Sequence, residues 1–126
     1  MEFDKSLPIY EQIKDRIRVK IIKGDYKPGD KLLSTREYAI KLSVNPNTMS
    51  RVFKDLEIEG VVFTKRGLGT FISEDKDLIN NIKDEMLEDI VLNFIKSFKE
   101  LNYSVESIKN IFEKKIMEGK NEQISN

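Results

Sequence analysis

The chain has 126 residues, 39% hydrophobic and 35% charged, with 22 Lys+Arg balancing 22 Asp+Glu, a size suited to one domain with at most a small appendage. It contains neither cysteine nor histidine, which excludes a disulfide framework and removes the usual general base and the commonest metal ligands, so no enzyme, cofactor or metal site is expected. No apolar run approaches the ~18 residues of a membrane span, and the start MEFDKSLPIY lacks the basic and apolar regions of a signal peptide, so a cytoplasmic, non-membrane protein is expected.

A first helix is expected to open at Pro8, a residue suited to the first helical position. Ile9, Ile13, Ile17 and Ile21 then form one apolar stripe at four-residue spacing. Gly24 and Pro28-Gly29 mark a turn. Ser34-Thr35-Arg36-Glu37 reads as a capping box that opens a second helix through about Leu42, with Tyr38, Ala39 and Leu42 inward. After the connector Ser43-Val44-Asn45, a third helix has Asn45 as its N-cap and Pro46 at its first position. It should run to Glu59, where Gly60 suits a left-handed cap.

Two short β-like runs follow, Val61 to Thr64 and Thr70 to Ile72, around the loop Lys65-Arg66-Gly67-Leu68-Gly69. A helix, a helix-turn-helix and a hairpin in that order make a winged helix. The expected fold is mainly α with a small β-hairpin wing, followed by two C-terminal helices. The first of these carries Ile79, Ile82, Met86, Ile90, Phe94 and Phe98 as a stripe. Asn102-Tyr103 interrupts it, and Ser104 caps a last helix with Val105, Ile108, Ile111, Phe112 and Ile116. The expected divisions are a DNA-binding domain over 1–73, a helical dimerisation segment over 74–118 and a disordered tail over 119–126.

The charge is uneven along this order. Residues 1–73 carry 14 Lys+Arg against 10 Asp+Glu, a net +4, and the remainder carries −4. Only the front half is thus expected to face an anionic polymer.

On a helical wheel the third helix turns Met49, Val52, Phe53 and Leu56 to one sector and Asn47, Ser50, Arg51 and Lys54 to the other. The second sector is short and polar, as a recognition helix requires. Asparagine can pair with adenine and arginine with guanine through two hydrogen bonds each. Asn45 and Thr48 stand at the helix start, where phosphates are bound. Arg36 begins the helix that crosses the DNA backbone, although an ion pair with Glu37 or Asp30 is an alternative. Lys65, Arg66 and Gly67 form a wing tip placed for a minor groove or phosphate, or else a merely solubilising loop.

From Pro8 to Ile72 the chain resembles the GntR family of bacterial regulators, through PIYEQIKDRI, PGDKL, S-x-R-x-x-A, NPNT, L-E-x-x-G and R-G-x-G-T-F in order. NPNT and a C-terminal part of about 50 residues resemble its YtrA-like subfamily. The resemblance implies a homodimer on an inverted repeat of double-stranded DNA, commonly a repressor, often beside transporter genes. It also implies DNA contacts at Arg36, Asn45, Asn47, Thr48, Arg66 and Gly67. Many members carry arginines where this chain has Pro46 and Ser50, so those contacts do not carry over, and the role of Arg51 rests on the wheel alone.

The back half can fold onto the winged helix, meet a second copy or line a ligand pocket. Two short helices leave little for a cavity, and a palindromic operator needs a two-fold protein. The expected seam is therefore Ile79, Ile82, Met86, Ile90, Phe94, Phe98, Ile108, Ile111 and Phe112. Asp84, Glu85, Glu88 and Asp89 lie on one helix and do not converge as a hard cation site requires, so they are expected to be a solvated face. A winged helix that binds protein instead of DNA is the competing function, and it would more often expose apolar residues on the third helix.

Overall fold

The computed structural model describes residues 3–121. α1 (Ile9–Lys23) starts one residue after Pro8, which serves as the N-cap, and the Pro8 carbonyl accepts from the Gln12 amide at 3.3 Å. The Gln12 side chain turns back to bond Asp4 and Leu7, so side-chain contacts hold the entering segment in place of a further helical turn. Ile13, Ile17 and Ile21 are buried, whereas Ile9 at the end of the stripe is exposed.

α2 (Thr35–Leu42) has the full capping box: the Glu37 amide donates to Ser34 Oγ and the Ser34 amide to Glu37 Oε1, each at 3.1 Å. Two orphan donors of the first turn are satisfied this way. α3 (Pro46–Ile58) is capped by Asn45, whose Oδ1 accepts from the Asn47 amide at 2.7 Å. Gly60 lies just past this helix at φ +80°, a conformation open to glycine at little cost. A Cβ there would also stand 3.1 Å from Leu78.

β1 (Val62–Lys65) and β2 (Gly69–Ile72) pair antiparallel, with Val62 opposite Ile72 and Lys65 opposite Gly69. The loop is thus Arg66-Gly67-Leu68, with Gly67 left-handed at φ +79°. A feature absent from the sequence reading broadens the wing. Residues before α2 run along β2, with Lys31 bridging to Phe71 and the Leu32 amide bonded to the Thr70 carbonyl at 2.8 Å. Turn residues mark where the chain reverses, but not what the following residues pair with.

The core beneath the wing joins Ile13, Ile17, Met49, Val52, Leu56, Val61, Val62 and Ile72, all at most 2% exposed. α4 (Lys76–Glu100) and α5 (Val105–Asn121) complete the chain. Packing within the chain forms two compact units that meet between Glu85 and Met86, inside α4. Ile79 and Ile82 at the start of α4 pack against the core of the first unit. By this division the first unit holds 16 Lys+Arg against 15 Asp+Glu. The +4 excess expected for the DNA-binding domain is therefore nearly cancelled by acidic residues from Glu74 onward.

In the second unit, Phe94 meets Phe98 and Phe112 edge-on at centroid distances of 5.3 and 6.3 Å, which clasps the two helices together. Ser104 caps α5 by accepting from the Ser107 amide at 3.1 Å. α5 continues through Gly119 to Asn121, so the expected tail loses its first three positions, and residues 122–126 lie outside the described residues. Helical glycine costs only about 1 kcal/mol relative to alanine, too little to end a helix unaided.

Candidate nucleic-acid interface

The two faces of α3 are sorted as the wheel expects. Met49, Val52 and Leu56 are fully buried and Phe53 nearly so, while Asn47, Ser50, Arg51 and Lys54 are exposed. Thr48 is half-buried between them. Phe53 meets Tyr38 of α2 edge-on at 5.9 Å, fixing the angle at which α3 is presented. Asn45 is exposed; its side-chain carbonyl oxygen accepts the capping bond, and its amide NH₂ is open to a ligand.

A second set of contacts locks α3 to α1. Tyr10, Lys14 and Arg18 recur every four residues along α1, and Arg51, Asp55 and Glu59 do so at the C-terminal part of α3 and its cap. The two rows meet in register. The Arg51 guanidinium carbon lies 3.6 Å from the Tyr10 ring centroid. Lys14 Nζ stands 3.6 Å from Asp55 and 2.8 Å from Glu59, and Arg18 bonds Glu59 and also Asp15. Burial alone would raise the Glu59 carboxyl, but hydrogen bonds from Lys14 and Arg18 outweigh it and hold Glu59 below its usual range. Lys14 is the mirror case: burial lowers it, and Glu59 more than restores it.

Arg36 is exposed at the start of α2. It has no ion pair with a described residue; Glu37 accepts from the Ser34 amide in the capping box, and Asp30 accepts from the Lys27 amide. In the wing, Arg66 and Gly67 are exposed at the tip. Lys65 lies back over the stacked Phe63 and Phe71 rings, 5.5 and 5.2 Å from their centroids. Lys31 is a cation that the sequence reading missed. Its side chain lies across Gly69, where a Cβ would come within 2.8 Å of Lys31 Cε. The second glycine of R-G-x-G-T-F therefore makes room for a lysine beside the wing, a relation that only strand pairing reveals.

The stripe expected to form a seam divides. Ile79 and Ile82 are half-buried against the core of the first unit, and Phe98 is buried in the second. Ile90, Phe94, Ile111 and Phe112 are exposed, and Met86 and Ile108 half-buried. Among the described residues no group of three or more carboxylates is placed to hold a metal ion, and no helix is long and apolar enough to cross a membrane.

Comparison with known proteins agrees with this geometry. Residues 9–72 match the family model of bacterial regulatory proteins, gntR family. The HTH-type transcriptional regulator YhcF of Bacillus subtilis is 41% identical over 107 residues, which span 85% of this chain and 88% of that protein. The HTH-type transcriptional repressor YtrA of the same organism is 53% identical over 70 residues, covering 56% of this chain and 54% of YtrA. A solved GntR family transcriptional regulator from Listeria monocytogenes superposes with a TM-score of 0.81 at 40% identity, over 89% of this chain and 98% of that one. The chain therefore belongs to the GntR family of bacterial regulatory proteins, in its YtrA-like branch, and is a DNA-binding transcription regulator.

Proposed function

We propose that the protein is a cytoplasmic repressor without catalytic activity that binds an inverted-repeat operator as a homodimer and controls transporter genes. The observation that carries the reading is the exposed polar face of α3, Asn47, Ser50, Arg51 and Lys54, on a helix whose other face is fully packed. Such a face presents base-reading groups from a rigid support. Arg36, Asn45 and Thr48 supply contacts beside it, and Lys65, Arg66 and Gly67 supply the wing. Repression is supported by YtrA, itself a transcriptional repressor. Dimerisation is supported by the exposed Ile90, Phe94, Ile111 and Phe112 in the second unit, since apolar patches of this kind are commonly covered by a partner.

Selection of bound duplexes from a random pool tests the reading directly. It should enrich an inverted repeat, and recovery of no common sequence would favour a winged helix that binds protein. On the selected site, Asn47→Ala or Arg51→Ala should each cost about 1–3 kcal/mol and relax preference at particular base pairs. Titration against single-base variants measures this, and wild-type profiles in both mutants would remove α3 from base reading.

The wing should act differently. Lys65→Ala and Arg66→Ala should weaken binding to all sequences alike and lower the slope of log affinity against log salt by about one per lost phosphate contact. A slope unchanged in both variants would take the hairpin off the DNA.

A further inference from the structure

We propose that Tyr10 is a positioning residue for sequence reading: its ring holds the Arg51 guanidinium ready for a base edge. The inference rests on the reading of α3 as the recognition helix and extends it to a residue of α1. Arg51 is exposed on α3, yet it stands 3.6 Å from the Tyr10 ring centroid. Tyr10 is half-buried and packed against the core, so the platform is itself fixed. Arg51 makes no hydrogen bond or ion pair with any described residue. Below it on the same two rows, Lys14 and Arg18 are held by Asp55 and Glu59. The row thus changes character at its end near the exposed face, from ion pairs that use up every charge to an aromatic contact that does not.

The geometry of the guanidinium decides what that change does. Stacking uses the flat face of the group, whereas its N–H donors point outward in the plane. A guanine edge is read by those in-plane donors. A carboxylate in the place of Tyr10 would occupy them, but a ring leaves them open while limiting the rotamers of a long side chain. Less side-chain freedom is then lost when DNA binds. An exposed cation–π contact corresponds to about two- to fivefold in an equilibrium constant. A bidentate arginine–guanine pair corresponds to about five- to 160-fold. The stack is therefore strong enough to bias Arg51 and too weak to withhold it.

The full-length chain is titrated with the selected operator and with a duplex changed at the base pair where Arg51→Ala loses preference. The readout is the ratio of the two affinities, which does not depend on the folded fraction of a preparation. Tyr10→Leu should lower this ratio about two- to fivefold, and Tyr10→Phe, which keeps the ring, should retain it. In an Arg51→Ala background Tyr10→Leu should change the ratio no further. An unchanged ratio in Tyr10→Leu, tighter binding, an equal loss in Tyr10→Phe, or a loss that persists without Arg51 would each overturn the proposal. An Arg51→Ala variant with every base preference intact would instead overturn the underlying reading of α3, and the proposal with it.

Discussion

A full-length chain carrying Ile90→Asp and Ile111→Asp is expected to sediment as a monomer at micromolar concentration and to lose about 10²–10⁴-fold in operator affinity. The two isoleucines are 64% and 55% exposed, so their side chains contribute little to packing within the chain. In a two-fold seam each aspartate would instead be buried opposite apolar groups without a counterion, an arrangement that dimers do not tolerate. The affinity loss follows from linkage. Once one subunit is seated, its partner meets the second half-site at a high effective concentration, and separate subunits forfeit that gain. Binding to a half-site should fall far less, because α3 and the wing belong to the other unit. Two added negative charges per chain would weaken binding to both duplexes alike, so the ratio of full site to half-site separates the two effects. A variant that remains a dimer, or a wild-type chain that sediments as a monomer, would take the second unit out of this role. A chain cut after Ser73 is a poorer test, because it strips Ile79 and Ile82 from the core of the first unit.

Most of the winged helix was legible because its signals are local. The capping box at Ser34, the Asn45-Pro46 start and Gly60 are each written within a few residues, and the inner and outer faces of α3 follow from period alone. What escaped depends on residues distant in sequence. The stripe of α4 is continuous on paper, yet Ile79 and Ile82 serve one unit and Phe98 is used up in another. A helical wheel shows which residues share a face, but not which neighbour covers it. The charge division at Ser73 follows the change of composition, while the packing of the first compact unit continues to Glu85. Lys31 beside Gly69 likewise depends on a strand bridge that no short window contains. The Tyr10-Lys14-Arg18 and Arg51-Asp55-Glu59 rows were present in the sequence as matching four-residue spacings. Pairing them requires knowing that α1 packs on α3.

Those rows lead to the second large effect, on stability. Glu59→Gln should destabilise the first unit by about 2–3 kcal/mol, measured by denaturant unfolding at neutral pH. Lys14, whose side chain is 8% exposed, loses the partner at 2.8 Å and keeps only Asp55 at 3.6 Å. Arg18 keeps only Asp15. Leaving a buried cation short of its counterion costs more than the pair itself contributes. The figure is held below that for a deep ion pair because the Glu59 side chain is a third exposed and water screens it. The pH dependence identifies the cause. Glu59 is held below its ordinary 4.5 in the folded chain, so its contribution is present above that value and fades as pH falls through the lowered one. Lys14 is raised above its ordinary 10.5, so its share persists through neutral pH and is lost only as pH rises through the raised value. The stability gap between wild type and Glu59→Gln should accordingly be level near neutrality and close in acid, where a protonated Glu59 resembles the amide. A gap that stays constant into acid would mean that Glu59 acts through its shape and not its charge, and the ladder between α1 and α3 would then not be electrostatic.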